Sequence, residues 1–240
     1  CIRDRGLNLN MARGKPSKEQ LDFSLPMLDT INSKSDFIGE DKMDCRNYGL
    51  LNGITECRKL FADILGVDAE NVIVGGSSSL NMMFDTISCF MTAPAVEGCK
   101  PWYEVKNRKF LCPVPGYDRH FGITQYYGFE LIPIPMDDNG PDMDMVERLV
   151  SEDDSIKGIW CVPKYSNPAG TTYSDEVVKR FAALKPAAKD FRIMWDNAYC
   201  IHEISDTPDV LLNIMDECKK TGNEDLSLIH ISEPTRLDVI

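Results

Sequence analysis

Asp196-Asn197-Ala198-Tyr199 closes the apolar run Arg192-Ile193-Met194-Trp195, and Ser166-Asn167-Pro168-Ala169-Gly170 follows an earlier such run. Apolar runs that end this way read as buried strands delivering polar side chains to the carboxyl edge of a sheet, where open α/β folds bind ligands. Asp, Asn and Tyr gathered there could hold a protonated pyridine ring, the carboxylate at its nitrogen and the other two at its phenolic oxygen, which suits an electron-sink cofactor. Taken singly, each has a plainer reading: an Asp capping a strand-to-helix turn, and Asn-Pro with Gly as turn formers. Gly75-Gly76-Ser77-Ser78-Ser79 opens a helical pattern, so its N–H groups and hydroxyls converge where the helix dipole is positive, a seat for a phosphate. A Ser N-cap on an ordinary helix would look the same. Val114-Pro115-Gly116-Tyr117 follows another apolar run and could lay an aromatic ring on a planar ligand, or simply form a Pro-Gly turn with a surface Tyr.

The elements that must position these residues follow from periodicity. Short β-rich runs alternate with amphipathic helical stretches, the pattern of an α/β domain with a mostly parallel sheet. Ile54, Cys57, Leu60, Phe61, Ile64 and Leu65 share one helical face, and Gly66 ends that helix. Strands are expected at 71–74, 109–113, 129–133, 156–162 and 191–195, and helices at 78–91, 118–127, 142–150 and 174–184. The strands 156–162 and 191–195 with helix 174–184 between them make a right-handed βαβ unit. Residues 11–36 look peripheral, with Gly14-Lys15-Pro16 turning into a short helix.

A chain of 240 residues with 43% hydrophobic and 27% charged residues can bury a substantial core. Its net charge of -12 argues against nucleic acid or an anionic membrane as the main partner. The nine cysteines include no Cys-x-x-Cys pair and are odd in number, so reduced thiols in a cytoplasmic setting are expected. No apolar stretch reaches the length of a membrane span, and no signal peptide is visible. His120, His202 and His230 show no metal-ligand spacing and read as structural residues, so no metal is expected.

Tyr117, Asn167, Asp196 and Tyr199 occur in the order, and near the spacings, of the fold type I enzymes that use pyridoxal 5'-phosphate (PLP), and the chain resembles their class I aminotransferases. The resemblance implies a three-layer α/β sandwich, the large PLP-binding domain, with the small C-terminal domain missing. It implies that Asp196 holds the pyridine nitrogen, that Asn167 and Tyr199 bond the ring oxygen, that Tyr117 stacks on the ring, and that Ser77, Ser78 and Ser79 bind the phosphate. Ala169 stands where the family usually has Thr. Tyr48, in Asn47-Tyr48-Gly49, matches the residue that reaches the phosphate of the neighbouring subunit, implying a homodimer. Gly14 matches the segment that closes over the substrate carboxylate. The implied reaction moves an amino group between an amino acid and a 2-oxo acid, with an aspartate-type donor. Cys112-Pro113-Val114-Pro115-Gly116-Tyr117-Asp118-Arg119-His120 is similar to bacterial aminotransferases related to the effector domains of MocR-type regulators. A PLP-binding regulator domain of that type, or a PLP-dependent β-lyase or decarboxylase, is the alternative.

The family also needs a lysine that forms a Schiff base with the cofactor. Its expected position falls in 226–240, around Ser232, where there is no lysine. Lys219 and Lys220 come too early, on an amphipathic helix, and Lys164 lacks the family context. Residues 226–236 (LSLIHISEPTR) break the pattern and look like a sequencing adapter translated in frame. The expected organisation is therefore 1–50 as an N-terminal, substrate-closing segment, 51–225 as an incomplete PLP-binding domain, and 226–240 as a non-native read-through tail. Cys1 suggests that the start of the gene is missing, and the chain as it stands is expected not to transaminate.

Overall fold

The computed structural model describes residues 17–76 and 78–230. In chain order the elements are α1 (Lys18–Ser24), α2 (Thr55–Leu65), α3 (Ser79–Thr92), β1 (Lys109–Val114), α4 (Asp118–Tyr126), β2 (Glu130–Asp137), β3 (Gly140–Pro141), α5 (Met143–Glu152), β4 (Ile156–Cys161), α6 (Asp175–Ala182), β5 (Arg192–Asp196), α7 (Ile214–Thr221) and β6 (Ser227–His230). The six strands form one sheet in the order β3-β2-β1-β4-β5-β6. Every pairing is parallel except the short β2–β3 hairpin. The fold is therefore α/β with a mostly parallel sheet, as the alternation of apolar runs and amphipathic stretches predicts.

Strand periodicity sorts the core into two layers. Leu111, Ile159, Cys161, Ile193 and Trp195 point to one face, against Val146, Val178, Phe181 and Cys218 from α5, α6 and α7. Their alternate neighbours Phe110, Cys112, Trp160 and Met194 point to the other, against Met83 and Ile87 of α3 and Ile123 of α4. Burial on both faces is why β4 and β5 read as continuous apolar runs. Each fully buried Ile or Phe contributes about 1.5–3 kcal/mol of transfer free energy, so the central strands are rigid mounts for the residues at their ends. Gly158 is required by this packing, because a Cβ there would sit 2.5 Å from the Phe110 ring and 2.7 Å from the Arg192 carbonyl oxygen.

The helices begin where capping residues allow. The side chains of Ser78, Asp142 and Ser174 accept the N3 backbone N–H of α3, α5 and α6. α2 ends at Gly66, in the left-handed region with φ 64.

One expectation needs correction. Residues 71–74 do not form a strand: a 3-10 turn occupies Ala69–Asn71, and the extended stretch beyond it has no neighbouring strand to pair with among the described residues. The apolar face of α2 is only half-buried, and Leu60 is exposed. β6 pairs with β5 at the edge of the sheet, and Leu226 before it is buried. α1 and the turn after it carry no buried residue, in keeping with a peripheral position.

Candidate functional site

The carboxyl ends of β1, β4 and β5 lie side by side, and each opens into a loop bearing one predicted group. β1 leads into Pro115-Gly116-Tyr117, where Tyr117 is the N-cap of α4. Gly116 admits this tight exit: a Cβ would lie 2.3 Å from the carbonyl oxygen of Pro113. One turn on, His120 is only 1% exposed. Its ring stacks on Trp160 of β4 (centroids 4.8 Å apart, interplanar angle 16°), and the Tyr117 ring meets it edge-on at 5.1 Å.

Asp196, the last residue of β5, is buried. Its Oδ2 lies 2.9 Å from Nε2 of His120. Its Oδ1 is shielded from solvent and has no partner. Asn197 Oδ1 and His202 Nδ1 are in the same condition, so three of the five buried, partnerless side-chain atoms among the described residues fall in a single turn. Buried polar groups are almost always bonded, so a concentration of orphans marks a place where something else completes the bonding.

Asn167 sits in a turn fixed by backbone bonds: Ser166 N–H donates to the Thr171 carbonyl (2.8 Å) and Gly170 N–H to that of Ser166 (2.5 Å). The Asn167-Pro168 peptide is cis, as is Val114-Pro115. A cavity of about 10 Å³, room for about one water, is bordered by Tyr117, His120, Asn167, Trp160 and Tyr173. Tyr199 lies in the turn after Asp196, its ring centroid 6.0 Å from that of His202.

The structure thus gathers Tyr117 and Asn167 about one cavity, with Asp196 joined to it through His120 and Tyr199 in the turn beyond. Ser78 and Ser79 lie at the N-terminus of α3, which packs on the same sheet face as α4. The Ser78 hydroxyl accepts from Asn81 N–H, and Ser79 is buried. Ser77 and Gly14 lie outside the described residues. Tyr48 is 92% exposed. His120, expected to be merely structural, is the partner of Asp196. The Tyr117-x-x-His120 spacing, which puts both rings on one helical face, was the available signal. Among the described residues no three His, Cys, Asp or Glu side chains are placed to hold a metal ion, and no helix is long and apolar enough to cross a membrane.

A mostly parallel α/β sheet with a buried carboxylate and partnerless polar atoms at one carboxyl edge defines an α/β domain of the open, wound type. The aspartate amino-transferase family matches the chain over residues 1–235, and the chain belongs to that family. The aspartate aminotransferase of Corynebacterium glutamicum is 46% identical over 222 residues, covering 92% of this chain and 51% of that protein. A crystal structure of an aspartate transaminase from Corynebacterium glutamicum superimposes with a TM-score of 0.88 at 44% identity, covering 96% of this chain and 54% of that one. Pyrococcus horikoshii kynurenine aminotransferase, solved in complex with PMP, is 20% identical with a TM-score of 0.65 over 92% of this chain and 51% of its own, a likeness of fold. The chain spans about half the length of the relatives it matches.

Proposed function

We propose that this chain carries the cofactor-binding part of a PLP-dependent aminotransferase that moves an amino group between an amino acid, of aspartate type, and a 2-oxo acid. The observation that carries this reading is the divided state of Asp196: one oxygen is held by His120, and the other is buried without a partner. A buried carboxylate oxygen in that state fits a donor such as a protonated pyridine nitrogen. When bound, the cofactor supplies an electron sink.

The chain's own residues take the following parts. Asp196 keeps the proton on the ring nitrogen, and His120 aims the carboxylate. Asn167 and Tyr199 bond the ring oxygen, while Tyr117 covers one face of the ring and excludes water from it. Ser77, Ser78 and Ser79 receive the phosphate at the start of α3. The exposure of Tyr48 suits a residue that serves a second copy of the chain, so the reading includes a homodimer. No lysine of the chain is assigned to the cofactor. Lys164, near Asn167, is bonded to Glu203, and the chain alone is read as binding without transferring.

The test is titration of the chain with PLP, followed by tryptophan fluorescence, since Trp160 lies beneath His120. Asp196→Ala should weaken binding at least about tenfold, in line with loss of a charge-assisted hydrogen bond. Equal affinity of the variant and the parent would refute the assignment. Borohydride added to the mixture should fix no cofactor on any single native lysine, and a defined adduct would overturn the last statement.

A further inference from the structure

Lys164 is a buried lysine outside the cofactor contacts, only 6% exposed, in the segment leaving β4 three residues before Asn167. Its ammonium donates to Glu203 Oε1 at 2.9 Å and to the Cys200 backbone carbonyl at 3.3 Å. It also lies 5.2 Å from the centroid of the Tyr165 ring. Tyr165, the next residue, donates its hydroxyl to Glu203 Oε2 at 3.1 Å and accepts the Asp209 backbone N–H at 3.1 Å. In an extended chain two consecutive side chains point to opposite sides. Here Tyr165 is in the left-handed region, φ 47, and both side chains reach the same carboxylate. A bulky residue keeps that conformation only where its surroundings hold it.

The segment on the other side of these bonds has little else to fix it. Between β5 and α7 the chain forms neither helix nor strand, and Ile201, Ile204 and Val210 are exposed. A stretch with so few buried apolar contacts belongs to the low-stability end of a fold. It is nevertheless the stretch that follows directly on Tyr199, and the Lys164 bond falls on the very next residue.

We propose that Lys164 and Glu203, braced by Tyr165, form a positioning clamp that sets the Asn167 loop against the Tyr199 turn, so that the two groups assigned to the ring oxygen are held at a fixed separation. This rests on the cofactor reading above. Lys164 acts through its neighbours: it is buried, and its ammonium is engaged by a carboxylate, a carbonyl and a ring, so it is no free cation for a substrate.

The experiment is a double-mutant cycle in the full chain, read by PLP titration, with amide hydrogen exchange measured alongside. Lys164→Met keeps the stem and removes the donor, Glu203→Gln removes the charge, and Lys164→Arg keeps a donor for the same acceptors. Lys164→Met and Glu203→Gln should each weaken PLP binding about tenfold, and Lys164→Arg should recover most of the loss. Asn167→Ala should cost much less in the Lys164→Met background than alone, because contacts through one network do not add. Amides of 197–209 should exchange faster in Lys164→Met. Unchanged PLP affinity in Lys164→Met, or the same Asn167→Ala penalty in both backgrounds, would overturn the clamp. If the parent chain binds no PLP, the cofactor reading fails by itself. The clamp is then decided by exchange: faster exchange over 197–209 in Lys164→Met sustains it, and an unchanged rate overturns it.

Discussion

Replacing His120 tests the electrostatic centre of the site without any ligand. His120→Leu keeps a side chain of moderate volume but removes the one partner that Asp196 Oδ2 has among the described residues. That leaves a carboxylate 8% exposed with both oxygens unbonded. Loss of a hydrogen bond to a charged group costs about 1.5–3 kcal/mol. Loss of the ring pair with Trp160, at 4.8 Å and 16°, adds about 0.5–1.5 kcal/mol. Urea unfolding should therefore show His120→Leu destabilised by about 2–4.5 kcal/mol, a large share of the 5–15 kcal/mol typical of a domain. Most of that cost comes from the stranded charge, so Asp196→Asn should be far less harmful in the His120→Leu background than in the parent. A cycle of the two should give an interaction energy of about 1–3 kcal/mol. His120→Gln, which keeps a donor, should fall between the parent and the leucine variant. A loss below about 1 kcal/mol for His120→Leu, or strict additivity with Asp196→Asn, would show that the pair does not hold the carboxylate.

Three further outcomes are expected. Burial pushes the Cys112 thiol up to about 12 and that of Cys218 to about 11, whereas Cys45 and Cys89 are exposed; a thiol reagent at pH 8 should modify the exposed pair rapidly and reach the buried pair only on unfolding. Gly158→Ala should cost about 1–3 kcal/mol by overpacking against Phe110, while Gly122→Ala in α4, where a Cβ meets nothing within 4 Å, should stabilise by about 0.5–1 kcal/mol; thermal melts read both. The side-chain hydrogen bond from Arg46, with its backbone bond, lowers the Asp44 carboxyl from 3.8 to about 2. The folded value is the depressed one, so the stabilisation is fully present above the unfolded value and is lost as pH falls through about 2; a carboxyl NMR titration midpoint near 4 would contradict the contact.

What the sequence revealed depended on the range of the interaction involved. β4 and β5 were legible because burial on both faces leaves a continuous apolar run, and the N-caps Ser78, Asp142 and Ser174 because capping is local chemistry. The residues 71–74 looked equally strand-like. A strand, however, is made by its neighbour, and the identity of a neighbour is not written in four residues. Asp196, Asn167, Tyr117 and Tyr199 could be singled out because each follows the end of a readable strand. The His120–Asp196 bond spans 76 positions in the chain, and the bonds from Lys164 and Tyr165 to Glu203 span 39 and 38. Only the parallel order of β1, β4 and β5 brings those groups together, and a reading by local pattern has no access to it. β6 lies in the segment set aside for its likeness to a translated adapter, and its edge position demands only backbone bonds and a buried Leu226.

The three partnerless atoms at Asp196, Asn197 and His202 have a thermodynamic consequence that reaches beyond the site. A molecule that satisfies them binds the folded chain and has nothing equivalent to bind in the unfolded one, so its concentration becomes a variable of the folding equilibrium. At a hundred times its dissociation constant such a molecule raises the unfolding free energy by about 2.7 kcal/mol. The melting temperature of this chain is therefore a gauge of which small molecules complete the turn after β5, and a survey of melting shifts would rank them without measuring a reaction.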